Sequence, residues 1–149
     1  MRLDNDMTDT DKIQLRTQPY DPQEARALLD QGGCGAVLWF EGVMKEVLAD
    51  GTRVTQLDWD AYQSMAIKSL SELREHAIQN FELKDLILIH RIDTQVPGDL
   101  IMTLGVSSER RKGAIAAIGW FMDELKQIAP LWKKEKSAEG EERWVEGER

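Results

Sequence analysis

The chain has 149 residues, 42% hydrophobic and 31% charged, which is one domain's length with enough apolar material for a core and excludes wholesale disorder. Nineteen Lys and Arg against 27 Asp and Glu give a formal charge of −8, the wrong sign for a general nucleic-acid binder. The single cysteine, Cys34, excludes an intramolecular disulfide and a multi-cysteine zinc site, and the longest apolar run, Ala114 to Met122, is too short to span a bilayer.

Residues 1–11 are polar and Asp-rich and are expected to form a flexible acidic lead-in, with 12–149 as a single domain. The opening Met-Arg-Leu-Asp-Asn-Asp lacks the apolar stretch of a signal peptide, so a soluble, cytoplasmic setting is expected. Lys12 to Thr17 alternates like a short strand. Asp21-Pro22-Gln23-Glu24 starts a helix, with Asp as cap and Pro at the first position. It is expected to bury Ala25, Leu28 and Leu29 and to stop at Gly32-Gly33.

Ala36 to Glu41 is a strand, Gly42 to Gly51 a mobile loop, and Arg53 to Asp60 a second strand with Thr55, Leu57 and Trp59 on one face. Gln63 to Asn80 is a helix burying Ile67, Leu70, Leu73 and Ala77. Strands Asp85 to Asp93 and Asp99 to Ser107 flank a turn at Pro97-Gly98. Glu109 to Ile128 is the longest helix, ended by Pro130, and Arg143 to Glu146 adds a last short strand. Strands that come both in pairs and between helices imply an α+β domain with a mixed or antiparallel sheet and about three helices.

The charge is unevenly spread. Residues 1–30 carry −3, 31–109 carry −6 and 137–149 carry −3, whereas 110–136 carry +4. Such a cationic segment is either a solvated helix face or the lining of an anion pocket.

Several groups in the chain could carry chemistry. His90 lies on the strand face of Leu86, Leu88 and Ile92, which favours a core histidine with a satisfied ring. Gly32-Gly33-Cys34-Gly35 precedes a strand and opens no helix, so it is a turn, with Cys34 read as a buried structural cysteine. No paired His or Cys spacing suits a metal. Arg110-Arg111-Lys112 opens a helix, where cations oppose the dipole, so the cluster is either a solvated start or placed for an anion. Lys126 sits in the last turn of that helix, and Lys133 and Lys134 follow Trp132. A lysine beside a buried aromatic can be desolvated and made useful for proton transfer or attack. Arg111 and Lys126 are ~22 Å apart along one straight helix. Either they serve different sites, or a second subunit brings one helix start beside the other's helix end, which is the preferred arrangement.

In order and spacing, the motifs resemble the large, catalytic subunit family of molybdopterin synthase. The resemblance runs from about Cys34 to Glu146. Its carriers are Gly35-Ala36-Val37 with Phe40 and Gly42, Leu57-Asp58-Trp59-Asp60-Ala61-Tyr62 with Met65, Ile89-His90-Arg91-Ile92, Pro97-Gly98-Asp99 and Val106-Ser107-Ser108. They continue with Phe121-Met122-Asp123-Glu124-Leu125-Lys126, Pro130-Leu131-Trp132-Lys133-Lys134-Glu135 and Trp144-Val145-Glu146.

The resemblance implies an α/β hammerhead-type fold and a sulfurtransferase of molybdenum cofactor biosynthesis. It implies a homodimer at the core of a heterotetramer, with a small ubiquitin-like subunit whose C-terminal thiocarboxylate enters the pocket. Sulfur would pass to cyclic pyranopterin monophosphate, giving the dithiolene of molybdopterin; no metal or other cofactor, nucleic acid or membrane is expected. The family's two functional lysines match Lys126 and Lys133. Lys126 would hold the partner's tail and stabilise charge during transfer, and Lys133 would bind substrate or move protons. Lys45, Arg110 and Arg111 match its anion-binding positions, with two departures: Lys45 stands where Arg is usual, and Arg110 where His is usual. Lys45 keeps the charge without the bidentate fork, and Arg110 replaces a proton donor with a permanent cation. These departures motivate an alternative, a non-catalytic dimeric paralogue that binds the small subunit or an anionic ligand without turnover.

Overall fold

Strict alternation in Leu86-Ile87-Leu88-Ile89 sets the layering, because period two sends neighbouring side chains to opposite faces of a sheet. The computed structural model describes residues 11–128 and 131–146. Its elements are β1 (Ile13–Arg16), α1 (Gln23–Leu28), β2 (Ala36–Val43), β3 (Val54–Ala61), α2 (Gln63–Phe81), β4 (Leu83–Arg91), β5 (Leu100–Ser108), α3 (Arg111–Ile128), β6 (Leu131–Ser137) and β7 (Glu142–Glu146). The lead-in expected over 1–11 falls, apart from Asp11, outside the described residues, and so does Pro130.

A four-stranded sheet runs in the order β1-β4-β5-β2, with β1 parallel to β4 and the other pairs antiparallel. A second, three-stranded antiparallel sheet runs β3-β6-β7. With three helices this is the expected α+β class. On one face of the larger sheet Leu86, Leu88, Leu104 and Val106 pack with Ile67, Leu70 and Leu73 of α2 and Ala114, Ala117 and Phe121 of α3. On the other, Ile87 and Ile89 meet Ala25 and Leu29 at the short α1.

Asp85 ties these layers together. Lys12 and Arg74 donate to its two oxygens at 2.7 Å each, and the backbone N–H groups of Asp30 and Leu86 add bonds at 2.8 and 2.9 Å. Burial pushes this carboxyl upward, but the four donors outweigh it and hold it below the ordinary carboxylate range.

Several expectations are corrected. Helix α1 ends at Leu28 with Leu29 already extended, three residues short of Gly32, because Leu29 turns in toward Ile87 and Ile89. Leu28 is only half-buried. The pairing of β3 shifts register between Val54 and Gln56, so Thr55 is exposed while Leu57 is buried, and the two share no face. Such a bulge inserts one residue and breaks period two. Strand β6 was not expected at all. Cys34 is half-exposed, its thiol 3.8 Å from the Gly32 carbonyl, and is no buried core residue. The surrounding segment is the expected turn, with Gly33 at φ 74° and the Cys34 N–H bonded to the Gln31 carbonyl.

Candidate active site: a lysine-lined cavity between the two sheets

The second sheet leaves a cavity of about 240 Å³ against the end of α3 and the strands β2 and β5. Three lysines of the predicted site, Lys45, Lys126 and Lys133, line it, with Glu41 and Glu135. Much of the remaining lining is apolar, including Phe40, Leu57, Trp59, Ile101, Met102 and Leu125. Apolar walls with a few charged groups are the usual make-up of a small-ligand site, and low-dielectric walls strengthen each charge's field.

Each lysine is placed by a different element. Lys45 follows β2, in a segment held where the Met44 N–H bonds the Asp99 carbonyl and the Gly98 N–H bonds the Met44 carbonyl, both at 2.9 Å. Lys126 lies in the last turn of α3, where a cation suits the helix dipole, next to the anchoring Leu125. Lys133 is half-buried in β6, directly opposite Trp59 of β3, with Nζ 6.0 Å from the Trp59 ring centroid. Both lysines lie beside an aromatic ring, but only Lys133 faces the cavity; Lys134 points the other way, over Trp144 at 5.6 Å.

Arg110 and Arg111 are not part of this lining. They lie exposed at the start of α3, the far end of the helix that carries Lys126. Within one chain, then, three of the five predicted site residues come together and two do not.

Three further lining residues were not assigned to the site in the sequence. His90 is buried, as expected for its strand face, yet it also lines the cavity. Its Nδ1 lies 2.6 Å from the Arg91 carbonyl, an atom that can only accept, so Nδ1 carries the proton. Burial lowers its pKa to about 4; the hydrogen bond to Arg91 works against that shift and the charge of Lys133 adds to it. Trp59 meets the His90 ring edge to face at 4.8 Å. Glu135 is buried, with Arg143 donating to it at 3.2 Å. Recognising β6 as a strand would have exposed Glu135, since period two puts it on the face of Lys133 and puts Lys134 on the opposite one. Among the described residues no group of three His, Cys, Asp or Glu is arranged to hold a metal ion.

Fold and site together define an α+β domain with three lysines and two glutamates on a cavity between its two sheets, in a chain of net charge −8. The family model for the MoaE protein matches residues 15–128. A molybdopterin synthase catalytic subunit from Pyrococcus abyssi is 34% identical over 140 residues, covering 93% of each chain. Among solved structures, molybdopterin synthase from Staphylococcus aureus superposes with a TM-score of 0.80 at 27% identity, over 88% of this chain and 94% of that one. A chain from a complex of subunits 1 and 2 of the molybdopterin-converting factor of Helicobacter pylori shares the fold, with a TM-score of 0.67 at 16% identity over 92% and 90% of the chains. The chain belongs to the MoaE family, the catalytic subunits of molybdopterin synthase.

Proposed function

We propose that the cavity transfers sulfur from the C-terminal thiocarboxylate of a small ubiquitin-like partner subunit to cyclic pyranopterin monophosphate, forming the dithiolene of molybdopterin. The observation that carries this reading is the convergence of Lys45, Lys126 and Lys133 on one largely apolar cavity in an acidic chain. Both reactants are anions, and a thiocarboxylate tail is narrow enough for a cavity of about 240 Å³. Lys126 holds the tail and offsets the negative charge that develops on the acyl oxygen when water attacks the acyl carbon, the carbon–sulfur bond breaks, and the tail is left as a carboxylate. Lys133, on the Trp59 face, binds substrate or moves protons. Lys45 supplies a point charge without the fork of an arginine.

Arg110 and Arg111 enter this reading through a second protomer, whose helix start completes the cavity of the first. The same reading places the reaction in the cytoplasm, which fractionation of tagged protein checks. Among the described residues no helix is long and apolar enough to cross a membrane.

Reconstitution tests the function. The protein is mixed with a thiocarboxylated small subunit and the pyranopterin precursor, and molybdopterin is assayed. Lys126→Ala and Lys133→Ala are each expected to lower the rate by about 10²–10³. Equal activity of both variants and wild type would overturn the site assignment. Tight binding of the small subunit without turnover by the wild-type chain would favour the non-catalytic paralogue instead.

A further inference from the structure

The loop between β4 and β5 contains a residue with no part in the lysine site as described so far. Gln95 is fully buried. Its backbone exchanges two hydrogen bonds with Leu57 of β3, at 2.8 and 2.9 Å. Its side-chain oxygen accepts a bond from Trp59 Nε1 at 3.0 Å. An indole N–H only donates, so the amide atom facing it must be the oxygen. The amide's other end is then fixed as well: Nε2 is buried, with no hydrogen-bond partner among the described residues. An orphaned buried donor is unfavourable, and an apolar side chain of similar length would avoid it. The side-chain bond that the amide does make is at its oxygen, to Trp59.

Trp59 is where such a bond has consequences. It lines the cavity, packs edge to face on His90, and faces Lys133 both in strand register and across its ring. Without a partner for its N–H, the indole can tilt about its side-chain torsions and take the surface under Lys133 with it. The loop presenting Gln95 is itself tied down. Arg91 donates to both Asp93 oxygens at 2.9 and 2.7 Å, and Thr94 donates to Asp58 at 2.6 Å.

We propose that Gln95 is a positioning residue of the sulfur-transfer site: by holding the Trp59 indole in one orientation, it fixes the wall against which Lys133 is aimed. The inference rests on the assignment of Lys133 to that chemistry.

The test uses the complex reconstituted with its partner subunit. Gln95→Met is apolar and of similar length, so it removes the acceptor and the orphaned donor together. The expected result is an unchanged melting temperature, an unchanged Kd for the small subunit, and a kcat lower by about tenfold or more. Trp59→Phe keeps a ring but has no N–H to hold. Adding Gln95→Met in that background is expected to change kcat by less than about twofold, because the bond is already gone. Full kcat in Gln95→Met, or effects that multiply in the double variant, would overturn the proposal. So would a lower melting temperature with the kcat of the folded fraction intact, since that marks a purely structural residue. Lys133→Ala, run alongside, separates the two readings. If it is fully active the site assignment fails; if it is inactive while Gln95→Met is fully active, only the Gln95 inference fails.

Discussion

A histidine ordinarily titrates near neutrality, and burial moves His90 out of that range. With desolvation as the largest cause and Lys133 adding to it, its pKa falls to about 4, against about 6.5 in the unfolded chain. Between those values the unfolded chain takes up a proton that the folded chain refuses. Stability from the neutral ring is therefore complete above about pH 6.5 and is lost as pH falls toward about 4. The amount is on the order of 3 kcal/mol across the window. His90→Phe has no proton to refuse, so the stability difference between wild type and variant should shrink as pH is lowered from 6.5 to 4. Denaturant melts at several pH values would show it, and a difference that stays constant across the window would refute it. The face of His90 was readable from strand alternation. Its place on the cavity was not, because that depends on Trp59 and Lys133 arriving from a different sheet.

At the scale of elements, legibility follows how locally each segment is stabilised. The stripe Ile67, Leu70, Leu73 and Ala77 marks α2 in the sequence, and the same residues are buried in the structure. Strand β4 is nearly as clear. Strand β6 is not, because Leu131–Ser137 puts four charged residues in a row after Trp132 and has no apolar alternation. Its partners are remote in sequence: Trp59 opposite Lys133 and Asp58 opposite Lys134. That omission concealed the pairing that sets Lys133 against Trp59 and places Glu135 in the site. The packing of α2 on α3 depends on a contact of similarly long range. A methyl group on Gly113 would sit 2.4 Å from the Phe81 carbonyl oxygen at the end of α2. Alanine favours a helix over glycine by about 1 kcal/mol, but overpacking against backbone costs about 1–3 kcal/mol. Backbone cannot rotate away as a side chain can, so the clash should win. Gly113→Ala is expected to lower the melting temperature, with a net loss of about 1 kcal/mol; a higher melting temperature would show that α3 shifts freely on α2.

For the whole molecule, the segment 110–136 with net charge +4 turns out to serve more than one place. Lys126 and Lys133 meet at the cavity, Lys134 crosses to Trp144 on the opposite face of β6, and Arg110 and Arg111 stand at the other end of α3. Fifteen residues of helix separate Arg111 from Lys126, ~22 Å at the helical rise. No side chain spans that distance to a ligand held by Lys126. If both residues serve one substrate, Arg111 must therefore reach the cavity from a second copy of the chain, as a two-fold dimer permits. Complementation distinguishes this arrangement from separate sites. Dimers of Arg111→Ala and of Lys126→Ala are each expected to be nearly inactive. After subunit exchange, a mixed dimer carries one cavity with both residues intact and one with neither. Random exchange should then restore about a quarter of the wild-type activity, since half the dimers are mixed and each has one working site of two. If each cavity were completed within its own chain, every cavity would keep one defect and exchange would restore nothing. Recovery after demonstrated exchange thus reports a shared site, and continued inactivity would assign Arg111 to a separate task at its own end of α3.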